Sequence, residues 1–297
     1  MKTILTLAAM RIRITLRNKT FLFFSLIMPM VFFFLYGSVF AKGNPQIVAV
    51  LMGPVLSVTV MGTFWGLSIQ LVNWREQGIL RRFRLAPIAP SSMIASSVLA
   101  NYALLLPTVI VELFLARMVY HVPSLGNLPS LLFLVVLGIT SFGALGLIVA
   151  SVTNTTQETQ VINQLLWFAF LFLSGATVPL VALPHIVQRI GLFLPATYLV
   201  SGLQRAMVDN AYIWQLGVEI ASLAVWGVLA FIISSLLFRW EPEAKLPRNA
   251  KLWAAATILP FILLGIWENH NGKLLATSAS MMSDHANENA PPANKAR

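Results

Sequence analysis

The chain has 297 residues, of which 58% are hydrophobic and 10% charged, and its mean hydropathy is +0.79. A soluble domain carries about 25% charged residues, so this composition excludes a water-soluble core, and the absence of cysteine excludes disulfides and thiolate metal sites. The formal net charge of +10 could indicate nucleic acid, but the basic residues follow a membrane topology, and we expect no nucleic-acid partner.

Residues 1–19 predict a moderately amphipathic helix that lies on the inner leaflet before the first span. One polar stripe of this helix would hold Lys2, Thr6, Arg13 and Arg17, with Arg11 off the stripe. The alternative is a plain basic anchor that only fixes orientation.

Six apolar runs are each long enough to cross about 30 Å of hydrocarbon as a helix. They cover residues 20–40, 47–72, 91–116, 128–152, 161–178 and 213–238. Only helices and closed barrels satisfy backbone polar groups in lipid, and these runs lack the alternation of barrel strands. The sequence therefore predicts an all-α integral membrane protein with a six-span helical bundle over residues 20–240.

Between the second and third runs lies a compact basic segment, residues 73–87, with the sequence NWREQGILRRFRLAP. It is compatible with a helix over residues 74–85 apart from Gly78, and Pro87 limits its end. We expect a helix that docks a cytoplasmic partner through Arg75, Glu76, Gly78, Leu80, Arg81, Arg82, Phe83 and Arg84. The alternative is a loop whose arginines only hold orientation.

Lysine and arginine in short loops set the orientation of a membrane protein. Thirteen of them lie on the side of the N-terminus, the basic segment and the stretch after the sixth run, against four on the opposite side. We therefore expect a multi-pass protein with its N-terminus and residues 73–87 in the cytoplasm.

Two carboxylates, Glu112 and Glu219, lie inside predicted spans. Glu112 precedes Arg117 by five residues, so both side chains are expected at the interface, where burial costs less. The alternative is a polar substrate path formed by Gln70, Asn101, Tyr102, Glu112 and Asn163. The lone histidines show no ligand spacing, and no metal site is predicted.

Residues 174–207 are too apolar for an open loop, yet Gly175, Pro179, Pro184 and Pro195 interrupt any continuous span. Irregular backbone at membrane depth occurs where protein or a water-filled cavity covers it. We expect a re-entrant pair of short helices near residues 185–194 and 197–207, dipping into the outer leaflet. The alternative is an external loop with surface helices.

After residue 240 the pattern changes. Residues 241–267 form a linker and a shorter apolar run, 252–267, which contains Pro260 and is either a seventh span or an interfacial helix. Residues 268–297 lack the apolar content to fold alone and predict a disordered tail.

The sequence contains no phosphate-binding loop of the form G-x-x-x-x-G-K-[ST], no G-x-S-x-G and no H-E-x-x-H. We therefore expect no enzyme activity in this chain, and a source of energy elsewhere.

Over roughly residues 1–240 the chain resembles the permease subunits of type 2 ATP-binding-cassette exporters. In that family the loop after the second span typically reads E-R-G-T-L-E-R-L-R-x-T-P, and this chain keeps Glu76, Gly78, Leu80, Arg82, Arg84 and Pro87. Arg81 replaces a Glu, which makes the segment more positive than usual. A second family pattern is matched by Leu173, Ser174, Gly175, Pro179, Pro184, Leu194, Pro195, Tyr198 and Arg205.

The resemblance implies a permease of the bacterial inner membrane that exports an amphipathic, drug-like, or lipid- or glycan-linked substrate. Two copies of this chain, or this chain with a second permease, would sit in lipid above ATP-binding-cassette ATPase subunits that hold ATP and Mg. The helix at 73–87 would fit a groove of the ATPase. Substrate would leave past an exit gate formed by Gly175, Pro179, Pro184, Pro195, Tyr198 and Arg205.

Two other functions stay open from the residues alone. The chain could be a self-sufficient transporter or channel in which Glu112 and Glu219 carry protons. It could also be a membrane enzyme or an assembly scaffold, although it lacks a catalytic constellation.

Overall fold

A computed structural model of the chain describes residues 2–17, 27, 29–84, 89–239, 252, 258–271 and 274. Every regular element among these residues is a helix, and they contain no strand. This confirms the predicted all-α class.

Eleven helices are named here in chain order. They are α1 (Lys2–Arg17), α2 (Pro29–Val39), α3 (Pro45–Glu76), α4 (Ile79–Arg84), α5 (Pro90–Val119), α6 (Leu128–Val152), α7 (Thr156–Leu173), α8 (His185–Gly191), α9 (Pro195–Val208), α10 (Gly217–Leu236) and α11 (Leu259–Asn271).

Four of these helices, α3, α5, α6 and α10, are long and apolar enough to cross a membrane. The bent pair α8 and α9 makes a fifth if the two helices form one span. Part of the predicted first span, including residues 20–26, lies outside the described residues. The predicted fifth span corresponds to α7, whose first five residues are polar (TQETQ). The described residues therefore contain four or five candidate spans by length and composition, and six spans stay a prediction.

Helix α6 lies at the centre of the bundle and packs against α3, α5, α9 and α10. Small residues allow backbones to approach closely in membrane bundles. At Gly146 of α6, a Cβ atom would lie 2.3 Å from the carbonyl oxygen of Phe64, and at Gly227 of α10 it would lie 2.9 Å from Oγ of Ser141. These two glycines allow α3 and α10 to pack closely against α6.

The segment before α10 forms two short helices, as predicted, and α8 and α9 meet at an angle of 93°. The hydroxyl of Tyr198 donates to the carbonyl oxygen of Leu192 at 2.8 Å, and that of Thr197 donates to Gly191 at 2.6 Å. These bonds satisfy carbonyl groups that the end of α8 leaves without a helical partner. The position of α8 and α9 in the outer leaflet stays a prediction.

Helix α11 begins at Leu259, later than the predicted run 252–267, and continues to Asn271. Its Phe261 is buried, with ring centroids 4.6 Å from Trp226 of α10 and 6.0 Å from Tyr198 of α9. Residues 268–271 are thus helical, where the sequence predicted the start of a disordered tail. Apart from residue 274, the rest of that tail lies outside the described residues.

Candidate coupling segment and membrane cavity

The basic segment at residues 73–87 does not form one helix. Helix α3 continues to Glu76, Gly78 adopts the left-handed conformation with φ +69°, and the short α4 follows. The amide of Gln77 donates to the carbonyl of Asn73 and that of Gly78 to Arg75, each at 3.0 Å. Glycine without Cβ reaches this conformation at no steric cost and ends helices this way. The predicted helix over residues 74–85 is therefore broken at Gly78, and residues 85–88 lie outside the described part.

Arg75 was predicted to face a partner, but the structure buries it, with 1% of its surface exposed. Its Nη1 donates to the carbonyl oxygen of Ala150 at 2.9 Å and its Nη2 to that of Thr153 at 2.6 Å. These are carbonyl groups at the end of α6, where unsatisfied acceptors and the helix dipole attract a cation. The prediction was wrong for Arg75 because the carbonyl groups that bind it lie 75 and 78 residues further along the chain, where a local sequence pattern does not reveal them.

Glu76, the next residue, is exposed but also bonded within the chain. Its Oε1 accepts from the backbone amide of Thr156 at 2.9 Å and its Oε2 from the hydroxyl of Thr156 at 2.5 Å. Thr156 is the first residue of α7, where free amides favour a carboxylate. Glu76 therefore ties the end of α3 to the start of α7.

The remaining predicted docking residues divide into three groups. Leu80 is fully buried and packs among Leu7, Met93 and Leu147, so its predicted contact with a partner is wrong. Gly78 forms the turn, and Arg81 is exposed beside it. The side chains of Arg82, Phe83 and Arg84 lie outside the described residues, although their backbone belongs to α4.

A second arginine, Arg239, meets Arg75 at the same place. From the sequence it is only one of the basic residues that set the orientation in the membrane. Arg239 donates to the carbonyl oxygen of Thr153 at 2.5 Å and to Oδ1 of Asn154 at 3.0 Å. Burial lowers the pKa of Arg239 from its usual value. The loop between α6 and α7 is thus held from both sides by guanidinium groups. Nothing local in the sequence around Arg239 marks this contact.

Helix α1 packs along α5 through a face that the predicted stripe did not include. Arg11 is 3% exposed, donates to Oγ of Ser97 and Oε1 of Gln70, and lies 5.1 Å from the ring centre of Trp74. Burial lowers the pKa of Arg11 to about 9. The residue that was placed off the polar stripe is therefore the one that anchors α1 to α3 and α5.

A cavity of about 460 Å³ lies between α1, α2, α3, α5 and α7. Two of the five predicted path residues, Gln70 and Asn101, line it, together with Thr59, Trp65, Gln164 and Trp167.

The other predicted path residues lie elsewhere. The hydroxyl of Tyr102 pairs with that of Thr140, and Nδ2 of Asn163 donates to Oγ of Ser68 at 2.7 Å. The structure therefore splits the predicted polar path, with Gln70 and Asn101 at the cavity and Tyr102 and Asn163 in contacts between helices.

The sequence favours Glu112 and Arg117 together at the membrane interface, whereas the structure places the Glu112 side chain inside the bundle. It is completely buried, and Oγ1 of Thr59 donates to its Oε1 at 2.6 Å. Arg117 instead donates to the carbonyl oxygens of Val122 and Pro123, at 2.5 and 2.6 Å. Oε2 of Glu112 has no hydrogen-bond partner among the described residues.

Glu219 is paired with a residue of the predicted exit gate. Its Oε1 accepts from Nη1 of Arg205 at 2.6 Å, and Arg205 also donates to the carbonyl oxygen of Gln215 at 3.0 Å. The pair links α9 to the start of α10, which gives Glu219 a structural role.

The other gate residues shape the backbone around α8 and α9. Gly175 takes φ +89° just after α7, Pro184 precedes α8, and Pro195 begins α9. Tyr198 is buried against α11. Gly175 and Pro179 line one narrow cleft with Thr197 and Gln204 of α9, whereas Pro184, Pro195, Tyr198 and Arg205 are not among the residues that line it. The exit gate therefore stays a prediction.

No group of three metal-ligating side chains occurs within the described part of the chain.

Comparison with known proteins points to a transporter family. The sequence profile described as ABC-2 family transporter protein matches residues 40–236. ABC transporter G family member 20 of Dictyostelium discoideum is 28% identical over 167 residues, which cover 56% of this chain and 23% of that protein. The transport permease YvfS of Bacillus subtilis is 24% identical over 230 residues, or 75% of this chain and 92% of that protein.

The inner membrane transport permease YhhJ of Escherichia coli is 22% identical over 200 residues, which cover 66% of this chain and 54% of that protein. The chain thus spans less than a quarter of the Dictyostelium relative and about half of the E. coli relative.

Proposed function

The chain belongs to the ABC-2 family of transporter proteins, and on this premise we propose that it is the membrane-spanning permease subunit of an ATP-binding-cassette exporter. It would move an amphipathic, drug-like, or lipid- or glycan-linked substrate outward with energy from ATP that a separate subunit hydrolyses. The observation that carries this proposal is the set of hydrogen bonds by which the segment at residues 73–87 is attached to α6 and α7.

That segment connects three helices at one end of the bundle. Arg75 joins the end of α3 to the end of α6, and Glu76 joins it to the start of α7. A force on α4 therefore reaches three membrane helices through short, charge-assisted hydrogen bonds. This is the arrangement that a permease needs if it is driven from outside its own chain.

The docking surface that we propose is narrower than the sequence predicted. Arg75 and Leu80 are buried, so the partner ATPase would contact α4, Arg81 and the exposed Gln77. The exposed Asn154 of the adjoining loop and the exposed Gln157 at the start of α7 extend this surface. ATP and Mg would be held by the partner, because the sequence has no phosphate-binding loop.

The cavity beside α3 supports a substrate of drug size. Its volume of about 460 Å³ lies in the range of small-molecule sites, about 300–1,000 Å³. Its wall combines the indole rings of Trp65 and Trp167 with the amides of Gln70 and Asn101. An amphipathic molecule matches this mixture of apolar surface and few polar groups.

We propose that two copies of this chain, or this chain and a second permease, pair in the bacterial inner membrane. Exposed apolar side chains on α5 and α7, including Phe114 and Phe168, provide surfaces for lipid and for a second permease. The excess of lysine and arginine supports a cytoplasmic location for α1 and α4.

The test is reconstitution with a phosphate-loop ATPase that co-purifies from native membranes. We expect no ATP hydrolysis by the chain alone, hydrolysis by the complex, and ATP-dependent substrate movement in inside-out vesicles. Proton-gradient-driven flux by the lone chain, abolished by Glu112→Gln, would instead support a self-sufficient transporter. This second function stays in the test because Glu112 is buried and its Oε2 has no hydrogen-bond partner among the residues that the structure describes.

A further inference from the structure

A buried acid lies directly behind the wall of the cavity. Thr59 of α3 lines the cavity, and its Oγ1 donates to Oε1 of Glu112 of α5 at 2.6 Å. Glu112 is completely buried, and its second oxygen, Oε2, has no hydrogen-bond partner in the described parts of the chain. An ionisable side chain inside a membrane bundle is costly, so its presence calls for a functional explanation.

Neither Arg117, five residues further along the chain, nor Arg205 forms an ion pair with Glu112. The guanidinium of Arg117 is engaged by two backbone carbonyl oxygens beyond the end of α5. Arg205 is paired with Glu219 at 2.6 Å. No ion pair to Glu112 occurs among the described residues.

The two ends of the cavity differ in charge. Gln70, eleven residues from Thr59, also lines the cavity, and its Oε1 accepts from the buried Arg11. Eleven residues of helix correspond to about 16 Å. A positive group is therefore disfavoured at the Gln70 end and favoured at the Thr59 end, beside the carboxyl group.

The wall between these ends is aromatic. The rings of Trp65 and Trp167 meet edge to face, with centroids 6.1 Å apart, and Phe32 lines the same space. Indole faces attract cations and also bury apolar surface. No lysine or arginine is among the described residues that line the cavity.

We propose that Glu112, oriented by Thr59, makes this cavity selective for amphipathic cations, an inference that rests on the proposed transport function. The cationic group binds at the Thr59 end, where the carboxylate attracts it across a medium that contains little water. The apolar body of the molecule packs on Trp65 and Trp167. Glu112 is thus a specificity-determining residue for the substrate.

The experiment measures binding of radiolabelled tetraphenylphosphonium to the purified full chain in lipid nanodiscs by equilibrium dialysis. Triphenylphosphine oxide, a neutral molecule with three of the same rings, is the matched probe. We expect saturable binding of the cation and a dissociation constant raised at least tenfold by Glu112→Gln. Binding of the neutral probe should change less than twofold.

Two further variants complete the design. Thr59→Val keeps the volume but removes the hydroxyl that orients the acid, so it should also weaken cation binding. Glu158→Gln removes an exposed acid outside the cavity, so it should leave binding of both probes unchanged. Should Glu112→Gln fail to fold, Thr59→Val carries the test.

The inference is overturned if the wild-type chain shows no saturable cation binding, or if Glu112→Gln and Thr59→Val bind the cation as tightly as the wild type. Because the assay contains no ATPase, failure of the proposed export function does not affect it. Conversely, ATP-driven transport without preference for cations would refute the inference alone and leave the permease function standing.

Discussion

Arg75 and Glu76 are neighbours in the chain but serve opposite helix ends. The guanidinium of Arg75 binds the last carbonyl groups of α6, and the carboxylate of Glu76 binds the first residue of α7. Each charge therefore meets the helix pole of opposite sign. Together they clamp the loop that connects α6 and α7 to the end of α3.

The first prediction concerns Arg75. We expect Arg75→Ala to lower the free energy of unfolding by about 2–4 kcal/mol, because the carbonyl of Ala150 loses its charged donor and that of Thr153 keeps only Arg239. Arg75→Lys should recover only part of this, since one ammonium cannot reproduce the two-pronged contact. The measurement is the unfolding transition in SDS titration and the thermal midpoint in detergent.

Arg13→Ala, at an exposed position of α1, is the matched control and should shift the free energy of unfolding by at most about 0.5 kcal/mol. Equal effects of Arg75→Ala and Arg13→Ala would refute the clamp.

The second prediction separates coupling from docking. Glu76→Ala should leave the partner ATPase bound but reduce substrate-stimulated hydrolysis, because Glu76 faces α7 and not the proposed docking surface. Arg81→Glu should weaken binding of the ATPase itself. Pull-down measures binding of the ATPase, and hydrolysis by the reconstituted complex measures coupling. Loss of the ATPase in Glu76→Ala would show that Glu76 contacts the partner after all.

A double-mutant cycle extends this test. Glu76→Ala and Thr156→Val should be non-additive in unfolding free energy, with an interaction of about 0.5–1 kcal/mol, because both remove the same hydrogen bond. Glu76→Ala with Thr6→Val, on α1, should be additive within about 0.5 kcal/mol. Full additivity of the first pair would contradict the bond between α3 and α7.

Much of the helical architecture is readable from the sequence because its causes are local. Runs of apolar residues long enough to span lipid predict α3, α5, α6 and α10, and Pro184 and Pro195, which interrupt any continuous span, predict the two short helices that the structure shows as α8 and α9. The break at Gly78 also has a local cause, because glycine is a poor helix former and readily adopts the positive φ found there. The predicted helix over residues 74–85 was wrong as one continuous element because it carried the helical register across that glycine.

The contacts that define the candidate site are not local. Arg75 finds its acceptors at Ala150 and Thr153, and Arg11 finds Ser97, so each side chain is placed by packing between distant segments. Glu112 illustrates the same limit, because the Thr59 that holds it lies 53 residues earlier. A single sequence marks such residues as costly inside a membrane protein but does not say which partner offsets the cost.

The third prediction concerns the attachment of α1. Arg11→Ala should loosen α1 from α5, because Arg11 loses its bonds to Gln70 and Ser97 and its contact with Trp74. The natural chain has no cysteine, so Ala8→Cys, at a buried position of α1, reports exposure by its rate of maleimide labelling. We expect labelling at least fivefold faster in the Arg11→Ala background. Arg13→Ala is the control and should not change the rate; equal rates in all three proteins would contradict the anchoring role.

The fourth prediction concerns α11, which lies beyond the part of the chain that the family profile matches. Phe261→Ala should reduce unfolding free energy by about 3 kcal/mol, because its ring fills the space between Trp226 and Tyr198. Leu263→Ala, on the exposed side of the same helix, should cost less than about 1 kcal/mol. Similar small effects of both changes would mean that α11 does not pack on the bundle in the membrane.

The last prediction tests the orientation on which the proposed export direction depends. Single cysteines at Gln77, beside α4, and at Trp214, between α9 and α10, both lie at exposed positions. The distribution of lysine and arginine predicts that Gln77 lies in the cytoplasm and Trp214 outside. In intact cells a membrane-impermeant maleimide should therefore label Trp214→Cys and spare Gln77→Cys, and permeabilised cells should label both. Labelling of Gln77→Cys in intact cells would place α4 outside, where no ATP-hydrolysing partner can reach it, and would refute the permease mechanism as a whole.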